Sequence, residues 1–305
     1  MKTIYRLIGT IMCCGLSLAI ASANNDAVLT DLTSNAVDVH STAAVVNIPR
    51  TRQFVLKDGD RHYQVMIKLP KDYRNNITHH YPVIYMTDSM YSLQVVSGAT
   101  RFPMNSNLMQ QAILVAIGYQ RPSKGSASRI RDYTPSHDAS WKLPTGEAKR
   151  HVAYISQVVM PFVEKNYRVD SQQNTFVGNS LGGLMGAYIL LEQPKLFNYY
   201  VLGSPSLWFD NKQLLQQFAQ RFSQTPAISA KVFIGIGELE KPPYTDNHHM
   251  VADAQAFFKL LQSHPSAQSG DLALKLLLIP EADHSMAFPT TAIHGLTWLF
   301  KRNLS

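Results

Sequence analysis

A serine set between glycines is the feature of this chain that most directly suggests chemistry. Residues 178–183 read Gly-Asn-Ser-Leu-Gly-Gly and fit the pattern Gly-x-Ser-x-Gly. In this pattern a sharp turn from strand to helix exposes the serine hydroxyl, and the glycines leave out Cβ atoms that would clash. Strand-like residues, 175–177, precede the motif and a helical run, 184–191, follows it. We therefore predict that Ser180 is a nucleophile, against the alternative of a glycine-rich turn with no catalytic role.

A serine hydroxyl is a weak nucleophile and needs a general base, most often a histidine. His284 follows the last strand-like run, residues 272–279. A loop at the carboxyl edge of a parallel sheet is where sites assemble, so we predict His284 as the base. The other histidines after Ser180 lie in helical stretches or a polar loop, where we expect solvated or capping roles: His248, His249, His264 and His294.

The acid that orients this histidine is expected after the preceding strand-like run, residues 231–236. The next four residues, 237–240, read Gly-Glu-Leu-Glu. Spacing alone does not separate the two carboxylates. We favour Glu240 and keep Glu238 as the alternative, with Asp246 and Asp283 as weaker candidates.

Acyl transfer also requires backbone N–H groups that bind the developing oxyanion. One comes from the residue after the nucleophile, which is Leu181, and the other from the loop after the third strand. That loop, residues 87–90, reads Thr-Asp-Ser-Met. We predict Met90 as the second donor, with Ser89 as the alternative.

Strand-like and helical segments alternate along most of the chain. The apolar runs 82–87 and 112–117 are typical of strands buried on both faces. We therefore predict an α/β fold in which a mostly parallel central sheet is flanked by helices. A turn at 57–60 between two short strand-like runs predicts an N-terminal antiparallel hairpin. We expect a long polar loop over 118–146, and a single domain over 51–305.

Composition and charge exclude several classes of protein. With 45% hydrophobic residues the chain is too apolar to be disordered. The net charge is +7, but the basic residues are scattered, so we expect no nucleic-acid partner. The chain lacks a His-Glu-x-x-His motif, and its two cysteines cannot build a Cys-rich metal site. We predict no metal and no other cofactor, a small-molecule partner, and make no prediction of the oligomeric state.

The first residues read as a targeting segment. Residues 1–23 combine Lys2 and Arg6 with a short apolar core and a final Ala-Ser-Ala, which is typical of a cleavable signal peptide. The alternative, a membrane anchor, requires a longer apolar run. We predict a polar leader over 24–50, no membrane span in the mature chain, and a periplasmic or secreted location.

Six blocks, in order along residues 51–302, resemble the esterase D-type branch of the α/β-hydrolases, and especially its periplasmic salmochelin-esterase-like group. The blocks are Leu-Pro-Lys-Asp-Tyr at 69–73, Tyr-Pro-Val-Ile-Tyr-Met-Thr-Asp at 81–88, Arg-Asp-Tyr-Thr-Pro at 131–135, the motif at 178–183, Ser-Pro-Ser-Leu-Trp at 204–208 and Asp-His at 283–284. The resemblance implies the α/β-hydrolase fold, a triad of Ser180, His284 and Glu240, oxyanion donors at Leu181 and Met90, and hydrolysis of esters. Where that branch commonly has Asp-Gly after the third strand, this chain has Asp88-Ser89.

Candidate substrate-binding residues lie in and after the basic segment 119–150. We predict Arg131, Tyr133 and Trp208, since a basic and aromatic flap would suit an acidic or catecholate ester. The alternatives are a solvated loop and a structural pair between Arg131 and Asp132. For the whole protein, the alternatives to a serine esterase are an acyltransferase on the same triad and a non-catalytic binding protein with this fold.

Overall fold

The computed structural model describes residues 47–245 and 248–302. The predicted signal peptide, residues 1–23, and residues 24–46 of the predicted leader lie outside the described residues. Within them an eight-stranded sheet forms. Its strands are β1 (Thr51–Asp58), β2 (Arg61–Lys68), β3 (Tyr81–Met86), β4 (Ile113–Arg121), β5 (Val169–Asn179), β6 (Tyr199–Gly203), β7 (Ala230–Gly237) and β8 (Leu272–Ile279).

The sheet has the strand order β1-β2-β4-β3-β5-β6-β7-β8. The strand β2 pairs antiparallel with both β1 and β4, whereas all the other neighbouring strands are parallel. The hairpin turns between Asp58 and Arg61. The predicted α/β-hydrolase architecture, with its N-terminal antiparallel hairpin, is confirmed.

Helices cover both faces of the sheet. They are α1 (Ser89–Asn105), α2 (Gly125–Tyr133), α3 (Ala148–Tyr154), α4 (Met160–Asn166), α5 (Leu181–Glu192), α6 (Phe209–Arg221), α7 (Met250–Gln262), α8 (Pro265–Ser269) and α9 (His284–Phe300). A π-helical turn (Ile155–Val159) joins α3 to α4. One apolar core lies between the sheet and α3–α7, and a second lies between the sheet and the helices α1 and α9. Burial on both sides explains the nearly continuous apolar sequence of the central strands.

The long polar loop predicted over 118–146 is wrong in part, because it contains helix α2. That helix has little apolar sequence, and the residues it buries are Ser128, Asp132 and Tyr133. Asp132 accepts hydrogen bonds from Ser128, Arg131 and the hydroxyl of Tyr63 on β2. Polar contacts within the helix and with Tyr63 therefore hold this segment, and such contacts leave no hydrophobic period in the sequence. Among the described residues, no helix has the length and apolar character that a membrane span requires.

A buried histidine makes the stability of this fold sensitive to acid. His151 is 2% exposed among the rings of Tyr63, Tyr133 and Tyr154, and neither ring nitrogen has a hydrogen-bond partner among the described residues. Burial lowers the pKa of His151 below its ordinary value of 6.5, against an opposing effect of the Asp132 carboxylate. The unfolded chain therefore takes up a proton, as the pH falls through 6.5, that the folded chain does not.

We expect this difference in proton uptake to lower the free energy of unfolding at acidic pH, by at most about 1.4 kcal/mol per pH unit. His151→Phe removes the titrating group and should flatten this pH dependence between pH 7.5 and 5. Urea unfolding at several pH values measures it, and His294→Gln, which changes an exposed histidine, is the control. An unchanged slope in His151→Phe would contradict the assignment.

Candidate active site

Ser180 lies in a strained turn between β5 and α5. Its backbone has φ 58° and ψ −118°, a conformation that non-glycine residues seldom adopt and that is common at functional sites. A Cβ atom at Gly178 would lie 2.3 Å from the carbonyl oxygen of Gly182, so the turn can close only with glycine there. Ser180 directly follows β5 at the carboxyl edge of the sheet, and its side chain is half-buried there.

Glu240 and His284 meet at the same edge, in the segments that follow β7 and β8. The Nδ1 atom of His284 lies 2.6 Å from Oε2 of Glu240. The carboxylate is fully buried, whereas the histidine side chain is 44% exposed. Oε1 of Glu240 accepts hydrogen bonds from the Ser204 hydroxyl at 2.5 Å and the Gly237 N–H at 2.8 Å. With Nδ1–H donating to the carboxylate, Nε2 is the nitrogen left to accept a proton.

The other candidate acids are placed differently. Glu238 accepts a hydrogen bond from the backbone N–H of Glu281 at 3.2 Å. Asp283 caps the N-terminus of α9 by accepting from the N–H groups of Ser285 and Met286. The Ser285 hydroxyl and these N–H groups hold the pKa of Asp283 below its ordinary value. Asp246 lies outside the described residues. Of the carboxylates considered from the sequence and described by the structure, Glu240 is the one that contacts His284.

Two helix N-termini lie at this edge of the sheet, one after β3 and one after β5. Leu181 is the first residue of α5, and Ser89 and Met90 are the first two of α1. First-turn N–H groups have no partner within their own helix and are therefore available to an oxyanion. A Cβ atom at Gly182 would lie 2.4 Å from Oγ1 of Thr87, so this glycine lets the two turns approach each other.

The serine that replaces the expected glycine after Asp88 does not crowd this approach. Ser89 is 5% exposed, and its hydroxyl is directed at β4, where a Cβ atom on Gly118 would lie 2.8 Å from it. Met90, by contrast, is 54% exposed. The side chain of Ser89 is thus accommodated against the sheet, which leaves the backbone N–H groups of Ser89 and Met90 as the two candidate donors beside Leu181.

Comparison with known proteins shows the family to which this chain belongs. The model of a family described as "Putative esterase" matches residues 58–260, which is more than half of the chain. The chain belongs to this esterase family. The esterase is 28% identical to the ferri-bacillibactin esterase BesA of Bacillus subtilis over 218 residues, which cover 66% of this chain and 74% of the relative. It is 29% identical to the siderophore triacetylfusarinine C esterase of Aspergillus fumigatus, over 60% of this chain and 65% of that protein.

A solved structure agrees with these relatives. The crystal structure of the BES protein from Bacillus cereus superposes on the esterase with a TM-score of 0.71 at 26% identity, over 87% of this chain and 99% of that one. The predicted resemblance to esterases of the siderophore group is confirmed. The protein is a carboxylic ester hydrolase.

A buried ion pair joins the two turns of the esterase site. Asp88 is 6% exposed, and its carboxylate accepts from Nε of Arg129 at 2.7 Å and from the Tyr119 hydroxyl at 2.6 Å. The same guanidinium donates to the carbonyl oxygen of Asn179, at 3.2 Å. Although burial opposes it, the charge of Asp88 raises the pKa of Arg129. Arg129 thus links the turn that begins α1 to the residue before Ser180.

Since these bonds set the distance between the two turns, we expect Arg129→Lys to slow turnover. A lysine keeps the charge but cannot bond Asp88 and Asn179 in this geometry. We expect kcat to fall about 10- to 100-fold, below the effect of removing an oxyanion donor outright. Arg150→Lys, in the more exposed ion pairs with Asp58 and Asp60, is the control. Equal kcat values in the two variants would contradict this link.

The three predicted substrate-binding residues are placed in different ways. Arg131 binds Asp132 through both its Nε and a terminal nitrogen, at 2.8 and 3.0 Å, as the structural alternative expects. Tyr133 is 1% exposed, and its hydroxyl accepts the backbone N–H of Asp88 at 3.2 Å. Neither side chain forms the exposed basic and aromatic flap that the sequence suggested. Tyr133 lies against the turn of Asp88, whereas Arg131 donates to Asp132 and to the hydroxyl of Tyr63.

Trp208 keeps a partly exposed ring and lies in an aromatic stack. Its ring is nearly parallel to those of His248, at a centroid distance of 4.0 Å, and Trp141, at 6.2 Å. Trp208 follows β6, His248 follows β7 and Trp141 follows α2. The segments after β6 and β7 also carry site residues. Among the described residues, no cluster of three or more His, Cys, Asp or Glu side chains is arranged to hold a metal ion.

Proposed function

We propose that this protein is a serine esterase that cleaves siderophore-type esters through Ser180, His284 and Glu240. The observation that carries the proposal is the 2.6 Å contact between the buried carboxylate of Glu240 and Nδ1 of His284. It supports a histidine whose Nε2 is left to accept a proton, on a side chain that is 44% exposed at the sheet edge where the strained turn of Ser180 also lies. Two relatives named as siderophore esterases support the substrate class.

In this mechanism Nε2 of His284 takes the proton of Ser180 as its Oγ bonds to the carbonyl carbon. Glu240 stabilises the imidazolium that forms, and the N–H groups of Leu181 and of Met90 or Ser89 bind the oxyanion. Collapse of the intermediate returns the proton to the leaving alcohol and leaves an acyl-enzyme. Water, deprotonated by His284, then releases the acid and restores Ser180.

The described residues near the site are better suited to bind an aromatic or apolar part of the substrate than an acidic part. The charges of Arg129 and Arg131 are balanced by Asp88 and Asp132. The partly exposed stack at Trp208, and the exposed side chains of Met90 and Met286 beside site residues, supply apolar contact instead. A catecholate ring could stack on the indole of Trp208.

An ester panel tests this proposal. Short nitrophenyl esters, simple aryl esters and a catecholate trilactone siderophore are compared by kcat/KM, with and without a chelator and with an added alcohol acceptor. We expect the trilactone to be the best substrate, no effect of the chelator, and release of free acid. We also expect Trp208→Ala to raise KM for the trilactone but not for an acetyl ester. Transfer of the acyl group to the added alcohol, in preference to water, would favour an acyltransferase instead.

We further propose that the protein is exported, which rests on the sequence of residues 1–23. The experiment is fractionation of expressing cells followed by N-terminal sequencing of the recovered protein. A periplasmic or secreted chain that begins at Asn24 is the expected result. A full-length chain that stays in the cytoplasm would contradict export without bearing on the esterase chemistry.

A further inference from the structure

A second serine lies against the proposed nucleophile. The Oγ atoms of Ser206 and Ser180 are 3.2 Å apart, and the N–H of Ser206 donates to the carbonyl oxygen of Ser180 at 3.1 Å. Ser206 is 1% exposed, and its own carbonyl accepts the N–H of Phe209, at 3.1 Å. Its hydroxyl is therefore held in one place beside Ser180 through both backbone and side chain.

Two residues earlier, Ser204 makes the corresponding contact with the acid. It is fully buried, its hydroxyl donates to Oε1 of Glu240 at 2.5 Å, and its N–H donates to the carbonyl of Gly235 at 2.7 Å. Just before it, the carbonyl of Gly203 accepts the N–H of Ser180, at 2.9 Å. Residues 203–206 thus make hydrogen bonds to Ser180, to Gly235 on β7 and to Glu240.

We propose that Ser206 is a further catalytic residue of this esterase. This inference rests on the proposed function of Ser180. When the Ser206 hydroxyl donates to Oγ of Ser180, the proton of Ser180 is left free to move to Nε2 of His284. The same donor stabilises the partial negative charge that grows on Oγ as its proton leaves, before the new bond to the carbonyl carbon passes this charge to the carbonyl oxygen. Ser206 keeps its own proton throughout.

The nearest alternative is that Ser206 only fills space and supports the turn. The backbone contact with Ser180 argues that the two roles are separable, because Ser206→Ala keeps that N–H and removes only the hydroxyl. A purely structural role predicts a lower melting temperature and normal kcat in the folded enzyme. A catalytic role predicts a lower kcat with little change in KM, because the hydrogen bond strengthens as charge develops.

The test compares Ser206→Ala with Ser206→Thr, which restores a hydroxyl, and with Ser266→Ala, which removes a buried serine hydroxyl that accepts the N–H of Ile228 away from the site. The measurements are kcat and KM for a nitrophenyl ester, and the rate of labelling by a fluorophosphonate, which reacts with activated serines. For Ser206→Ala we expect kcat and the labelling rate to fall together, by about 10- to 100-fold, with KM within twofold of the wild type. Ser206→Thr should recover at least part of the loss, and Ser266→Ala should match the wild type.

A Ser206→Ala enzyme that labels and turns over within threefold of the wild type would overturn the inference while leaving the proposed function intact. If the wild-type protein itself fails to label, the proposed function fails, and the two failures are therefore distinct. Should Ser206→Ala not fold, Ser206→Cys takes its place, since it keeps the volume and only weakens the donor. Normal activity in that variant would equally overturn the proposal.

Discussion

Ser180→Ala is expected to abolish ester hydrolysis while leaving the fold intact. Loss of the nucleophile removes the acyl-enzyme route altogether, and comparable substitutions in serine hydrolases lower kcat by roughly 10⁴- to 10⁶-fold. Within the part of the chain that the structure describes, the hydroxyl makes one side-chain hydrogen bond, with Ser206, so little stability is lost with it. Hydrolysis of a nitrophenyl ester and labelling by a fluorophosphonate measure the chemistry, and thermal unfolding measures the fold.

Ser263→Ala, which changes an exposed serine far along the chain on the end of α7, is the matched control and should behave as the wild type. If Ser180→Ala keeps even a tenth of the activity, Ser180 is not the nucleophile. Labelling of Ser206 in that variant would instead show that the neighbouring serine can react in its place.

Glu240→Gln should slow turnover strongly, whereas Glu238→Gln should have little effect. The carboxylate of Glu240 accepts Nδ1–H of His284, which keeps Nε2 free for the serine proton and stabilises the imidazolium. An amide of the same shape does neither reliably, and loss of the orienting acid in a related triad costs about 10⁴-fold in kcat. KM should change less than kcat, because the carboxylate is fully buried and does not reach the substrate.

The pair of variants separates three readings of the site. A small loss at Glu240 would indicate a Ser-His dyad in which backbone or water holds the imidazole. Damage at Glu238 instead would mean that the loop after β7 rearranges in the working enzyme, because its carboxylate bonds the backbone of Glu281 in the structure. Equal and mild effects would direct attention to Asp246 or Asp283.

The sequence predicted most readily what local spacing encodes. The strained turn at Ser180 could be predicted because the glycines that it needs are its near neighbours, and β8 could be bounded at Leu272–Ile279 because Lys275 alone breaks its apolar run. Contacts between distant residues were not predictable in this way. Arg129 meets Asp88 across 41 positions because β4, which precedes its helix, lies beside β3 in the sheet, and Ser206 meets Ser180 across 26 because β6 lies beside β5.

The position of Tyr133 differs from the exposed one that the sequence suggested. An aromatic residue in a polar and basic segment suggests an exposed binding surface. The structure buries it instead, since its hydroxyl finds the N–H of Asp88 and burial raises its pKa. Composition gives the average character of a segment, and the position of one side chain depends on which partner the fold brings to it.

The residues of the site are contributed one after another along nearly the whole described chain, from Asp88 after β3 to His284 at the start of α9. A nascent chain on the ribosome therefore holds Ser180 long before it holds a base. With His284 as the proposed base, no ester is cleaved until β8 has paired with β7 and α9 has packed on the sheet, and catalytic activity then requires the complete sheet. In a chain that is exported unfolded, this late assembly would keep the hydrolase inactive in the compartment where it is made.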